Sequence, residues 1–109
     1  MIPLIASQSS AIADLCRRHG VVRLDLFGSA ATGNFDPARS DLDFVAEFAR
    51  PAPTAEYADR FLDFASGLEA LLGRPVDVVS ATALHGTRLA SAIASDRQNV
   101  YVESAPVAV

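Results

Sequence analysis

Lysine is absent from this chain of 109 residues: its nine basic residues are all Arg, and they are scattered rather than clustered. Thirteen acids outnumber them, giving a formal net charge of −4 and a pI near 4.9. A basic face is the electrostatic footprint of a nucleic-acid binder, so no direct nucleic-acid partner is expected. A free nucleotide stays compatible with an acidic chain when metal ions neutralise the meeting of carboxylate and phosphate. Cysteine occurs once, at Cys16, which excludes an intrachain disulfide and points to a reducing compartment. No apolar run reaches the length of a membrane span, and the opening Met1-Ile2-Pro3-Leu4-Ile5-Ala6 is too short and uncharged for a signal peptide. The expected location is cytoplasmic, away from membranes.

Half the residues are hydrophobic and a fifth are charged, as in an ordinary globular protein. The length suits one domain spanning 1–109, with 1–7 and 104–109 as flexible ends. Ile12, Leu15, Cys16 and His19 recur at helical spacing and predict a helix over Ser9–His19, with Ser9 or Ser10 as cap and Gly20 as stop. Strand patterns follow at Val21–Phe27, at 41–48 and at Val76–Ser80. In the first strand, Val22, Leu24 and Leu26 share one face, and Val21, Arg23, Asp25 and Phe27 the other. Tyr57, Phe61, Phe64, Leu68 and Leu71 mark a long amphipathic helix that starts after Thr54 and ends at Gly73. A last helix is expected over 87–95, using Leu89, Ala92 and Ile93, and a short extended piece over 99–102. This order predicts an α/β fold: a small mixed β-sheet flanked by helices.

Chemistry concentrates in three places. Gly28-Ser29 ends a strand and opens a turn of small residues over 28–32. Glycine lets backbone approach an anion, a helix start offers free N–H groups, and Ser29 adds a hydroxyl donor. Asp41 and Asp43 then alternate with Leu42 and Phe44, so both carboxylates leave one face of a strand. They stand roughly 7 Å apart by strand geometry and repel each other unless a cation lies between them. Mg²⁺ favours such oxygen ligands, and two ions can clamp the attacking and leaving oxygens of an in-line displacement. Asp77, inside Val76-Asp77-Val78-Val79, supplies a third acid from a neighbouring strand. Its apolar neighbours disfavour the charged carboxylate, which suits a group that accepts a proton from a hydroxyl. Together these residues are what metal-assisted phosphoryl or nucleotidyl transfer requires.

Other residues have plainer readings. Cys16 reads as core, and His19 as a helix-end residue near the C-terminal dipole. His85 reads as a loop residue, and Asp25 and Asp36 as solvent-facing. Arg39 is either a solvated loop residue or a contact to a triphosphate.

Leu26-Phe27-Gly28-Ser29-Ala30-Ala31-Thr32-Gly33, Arg39-Ser40-Asp41-Leu42-Asp43-Phe44 and Arg74-Pro75-Val76-Asp77-Val78-Val79 together resemble the minimal nucleotidyltransferases of the polymerase β-like superfamily. Ala83-Leu84-His85 and Asn99-Val100-Tyr101-Val102 are similar to that family's C-terminal pattern. The resemblance implies an Mg²⁺-dependent enzyme with ATP as substrate and Asp41, Asp43 and Asp77 as metal-binding and catalytic acids. It further implies nucleotide contacts from Gly28, Ser29, Arg39 and Ser40. Many members act as antitoxins of HEPN-domain toxins, by binding and in some cases by transferring AMP to a toxin tyrosine; a homo- or hetero-oligomer would follow. Thr32 departs from the Arg or Lys frequent at its place in the turn, which leaves a binding-only antitoxin as an alternative. A small-molecule nucleotidyltransferase of the aminoglycoside-modifying kind is another, although the chain lacks the extra length that usually forms the acceptor pocket.

Overall fold

The computed structural model describes residues 3–28, 31, 41–49, 55–84, 86–94 and 96–103. In chain order these form α1 (Pro3–Ser7), α2 (Ser9–His19), β1 (Val21–Phe27), β2 (Leu42–Phe48), α3 (Ala55–Leu72), β3 (Val76–Ser80), α4 (Ala81–Leu84), α5 (Arg88–Ile93) and β4 (Gln98–Val102). The strands make one four-stranded sheet in the order β3-β2-β1-β4. β1 is antiparallel to both β2 and β4, while β2 and β3 run parallel, so the sheet is mixed, as expected.

α2 occupies the residues expected of it, and Gly20, at φ 73°, ends it by donating its N–H to Cys16 O. The expected serine cap does not form. α1 runs almost directly into α2, Gln8 takes the cap position without a side-chain bond, and backbone contacts serve instead. Gln8 N–H donates to Ile5 O at 3.2 Å, and Ile12 N–H donates to Gln8 O at 2.9 Å. Residues 1–7 were expected to be a flexible end, yet Pro3–Ser7 form α1 and Ile5 within it is fully buried. α3 stops as expected at Gly73, whose φ is 68° and whose N–H reaches Glu69 O at 2.8 Å.

The main core lies between one face of the sheet and the helices α2 and α3. Leu24, Leu26, Leu42, Phe44, Ala46 and Phe48 meet Ile12, Leu15, Phe64 and Leu68 there. The Phe48 ring sits 5.3 Å from Tyr57, 5.8 Å from Phe61 and 6.0 Å from Phe64, so the aromatic stripe is core packing. Val21 also joins this core, against the strict alternation expected of β1. The β1–β2 register shifts between Val21 and Arg23, and such an irregularity turns a residue to the other face.

Among the described residues, the opposite face of the sheet is only partly covered. A small second cluster of Phe27, Val45 and Leu84 lies there, joined by Val79, Ala81 and Ala90. Among the described residues no helix is long and apolar enough to cross a membrane.

Candidate active site

Alternation along three strands places the candidate acids. Leu42 and Phe44 are fully buried in the main core, so Asp43 between them leaves by the thinly covered face. Val76 and Val78 pack towards the same core, which puts Asp77 on that face as well. Parallel pairing then sets Asp43 directly beside Asp77, one strand spacing away. Asp41 stands exposed just ahead of β2, where Leu42 N–H donates to Pro75 O at 3.2 Å and ties the start of β2 to the approach of β3.

Burial falls on Asp43, which is half-buried, whereas Asp77 is exposed despite its apolar sequence neighbours. The low-dielectric position expected at Asp77 therefore belongs to its partner. Burial raises the Asp43 pKa, the negative charges of Asp77 and Asp41 raise it further, and a hydrogen bond between the Asp43 and Asp77 carboxyls adds to the effect. Both other acids thus act electrostatically on the Asp43 carboxyl.

Gly28 closes the other side of Asp43. It follows β1 at φ 72°, and a Cβ built on it would run into Asp43 Oδ2, with Asp43 Cγ only 3.3 Å away. Only glycine permits both the left-handed backbone and this approach. Ala31 N–H donates to Gly28 O at 3.1 Å, closing a turn against the acids. Ser29, Arg39, Ser40 and Thr32, together with Asp36, Thr54 and His85, lie outside the described residues.

Among the described residues no three His, Cys, Asp or Glu side chains form a ready-made metal cage. The acids are an adjacent pair with an exposed third. Such a set offers only oxygen donors, carries negative charge, and leaves coordination positions to water or phosphate, which suits Mg²⁺.

Asp25, expected in solvent, is 1% exposed. Arg97 donates from Nε at 3.1 Å and from Nη2 at 2.8 Å to its Oδ2, Asn99 Nδ2 donates to Oδ1 at 3.0 Å, and Arg23 Nε reaches both oxygens at 3.2–3.3 Å. Burial alone would raise its pKa; the bonds from Asn99, Arg97 and Arg23, with the charge of Arg23, outweigh it and hold the carboxyl below its ordinary value. The β1–β4 register shifts between Leu24 and Asp25, at this same point. The local signal was faint: an Asp between two leucines, with an Arg two residues earlier.

An open cleft of about 920 Å³ lies beyond Asp25 on the same side of the sheet, between the Arg23 and Glu47 ends of β1 and β2 and the helices α4 and α5. Its described lining includes Asp25 but none of Asp41, Asp43 or Asp77, and the buried Val45–Leu84 cluster lies between it and the acids.

The sequence pattern of the nucleotidyltransferase domain matches residues 9–100 of this chain. No curated protein sequence matches it. Among solved structures, one described as a minimal nucleotidyltransferase is 33% identical, with 85% of this chain and 89% of that one covered and a TM-score of 0.63. Two further likenesses show the fold. A chain from a complex of a tri-AMPylated Shewanella oneidensis HEPN toxin with its MNT antitoxin is 18% identical, covering 90% of this chain and 72% of that one at a TM-score of 0.63. A chain from a toxin–antitoxin complex with AMP-PNP is 20% identical, covering 88% and 74% at a TM-score of 0.65. The mixed sheet, the Gly28 turn and the paired strand acids thus belong to a nucleotidyltransferase domain, and this chain is a member of the minimal nucleotidyltransferase family.

Proposed function

We propose that this chain is an Mg²⁺-dependent nucleotidyltransferase that moves AMP from ATP onto a hydroxyl of a HEPN-domain protein in the cytoplasm, and so acts as that protein's antitoxin. The observation that carries this reading is the pairing of Asp43 with Asp77 beside the Gly28 turn, on the thinly covered face of the sheet. Support for the partner comes from the HEPN toxin–MNT antitoxin complex among the similar structures.

In this reading Asp41, Asp43 and Asp77 hold Mg²⁺, one ion or two. When bound, the metal neutralises carboxylate and phosphate charge and polarises the α-phosphate. The Gly28 turn receives the phosphates, with Ser29, Arg39 and Ser40 as further contacts. The acceptor oxygen attacks the α-phosphorus, the bond from that phosphorus to the bridging oxygen breaks, and pyrophosphate leaves. Asp77, exposed on the edge strand, takes the hydroxyl proton. The acid pair also disfavours its own bare state, because the Asp43 charge is opposed by burial and by two neighbours.

A specific sequence feature, Thr32 in place of a turn cation, favours a second reading in which the chain neutralises its partner by binding alone. One experiment separates the two. The purified chain is mixed with MgCl₂, ATP and the HEPN-domain protein of the same genome, and the intact mass of both proteins is recorded. A gain of AMP units on the partner, abolished by Asp43→Asn, is the expected result. An unchanged mass in a complex that still forms would replace transfer with binding.

A further inference from the structure

We infer that Leu84 is a positioning residue of the transfer reaction: one apolar side chain that fixes the Gly28 turn, Asp43 and Asp77 relative to one another. This rests on the transferase reading above and adds to it a residue that acts only through the groups it packs against. Strand register orders the thinly covered face into rows. Phe27 pairs with Asp43, and Asp43 with Asp77, so these three form one row. Val45 pairs with Val79 in the next row, each on the same strand face as the acid before it. Every part of the site therefore has an immediate neighbour in the second apolar cluster. Phe27 precedes Gly28, Val45 follows Asp43, and Val79 follows Asp77. Among the described residues, Leu84 is the buried member of that cluster that comes from outside the sheet. It is 4% exposed and packed with Phe27 and Val45, with Val79, Ala81 and Ala90 around them.

The sheet alone does not hold these parts in place. Among the described residues β3 pairs only with β2, and the Gly28 turn begins where β1 ends. The spacing of Asp77 and of Gly28 from Asp43 thus depends on what presses on Val79 and Phe27. Gly28 approaches Asp43 so closely that no Cβ fits between them, and a small shift of Phe27 changes that approach. Leu84 is itself fixed from behind. Its carbonyl accepts from the Thr87 N–H at 3.1 Å and from the Thr87 hydroxyl at 2.6 Å. Thr87 Oγ1 in turn accepts from Ala90 N–H at 3.2 Å and caps α5. α4 and α5 are thus braced into one corner that bears on the cluster through Leu84 and Ala90. A misplacement of reacting groups by about 1 Å can cost about a hundredfold in rate, so a side chain away from the substrate can govern kcat.

The test compares Leu84→Ala with Leu84→Met, which keeps the volume, and with Leu72→Ala, which removes a buried leucine from the main core instead. Initial rates of AMP transfer to the HEPN-domain protein are measured where every variant is folded by circular dichroism. The Mg²⁺ concentration that gives half of the thermal shift is read in parallel, without ATP or acceptor. In Leu84→Ala, kcat should fall about tenfold or more while KM for ATP stays within about twofold. Its Mg²⁺ midpoint should rise, and Leu84→Met should restore both quantities. Leu72→Ala should lower the Tm and leave kcat and the Mg²⁺ midpoint as in the wild-type chain. Wild-type kcat in a folded Leu84→Ala, or an equal loss in Leu72→Ala, would overturn the assignment and leave the transferase reading standing. Absence of transfer by the wild-type chain would instead overturn the transferase reading, and Leu84's part in transfer with it. Should Leu84→Ala fail to fold, the smaller truncation Leu84→Val decides by the same readouts.

Discussion

Asp25 illustrates how a single carboxylate can be both buried and charged. Its two oxygens accept from Arg23, Arg97 and Asn99, so desolvation is offset by partners on β1, on β4 and just ahead of β4. Arg23 is 51% exposed on its side chain, and solvent screens its share. Asp25→Asn should therefore cost about 2 kcal/mol at neutral pH rather than the full penalty of a broken buried pair. The pH dependence has a definite sign. The folded-state pKa is lowered, so the stabilisation is fully present above the unfolded value of about 3.9 and disappears as pH falls through the folded value. Urea unfolding of both proteins at pH 7 and at pH 3 should show the gap between them closing in acid; a gap of constant size would contradict this account. Cys16 behaves differently. Burial, set against the charge of Arg17, pushes its thiol up to about 12, so it packs as a neutral apolar group.

Between elements, α2 packs closely on α3. Gly67 lies against Leu15, and a Cβ on Gly67 would come within 2.9 Å of Leu15 Cδ1. Gly67→Leu should wedge the helices apart and destabilise the fold by about 2 kcal/mol, measurable as a lowered urea midpoint, whereas Gly67→Ala loses less because helix propensity offsets the crowding. Elements long enough to show a period were legible in the sequence: α2, β1, β3 and α3 lie where Leu15, Leu24, Val76 and Phe64 and their repeats indicated. α1 and α4 are a turn or so each, and no helical period can appear in four or five residues. The extended stretch after residue 98 was visible, but its place beside β1 was not, because pairing partners lie outside any local window. Asp25 failed for the same reason, since Arg97 stands 72 residues away in sequence. Asp43 and Asp77 stand out in the sequence as candidate acids, while their direct pairing is visible only in the parallel register.

At the scale of the whole molecule, the acids set stability against chemistry. The folded-state pKa of Asp43 is raised, so its ionisation weakens the metal-free fold, and this loss is relieved as pH falls towards the unfolded carboxylate value. In EDTA at pH 8, Asp43→Asn should therefore be more stable than the parent chain, by about 1 kcal/mol or less after solvent screening. Adding MgCl₂ should raise the Tm of the parent and leave that of the variant nearly unchanged. A variant less stable than the parent in EDTA would show that Asp43 contributes to the fold through a contact other than its charge. The sheet order also bears on when this protein can become itself. β4, near the end of the sequence, lies beside β1, near its beginning. A nascent chain halted before residue 97 holds every acid of the candidate site, yet leaves one side of β1 bare and Asp25 without Arg97 or Asn99. Translation must therefore run past β4 before the sheet can close, so the acids of the candidate site are all made before the strand that completes the sheet beneath them.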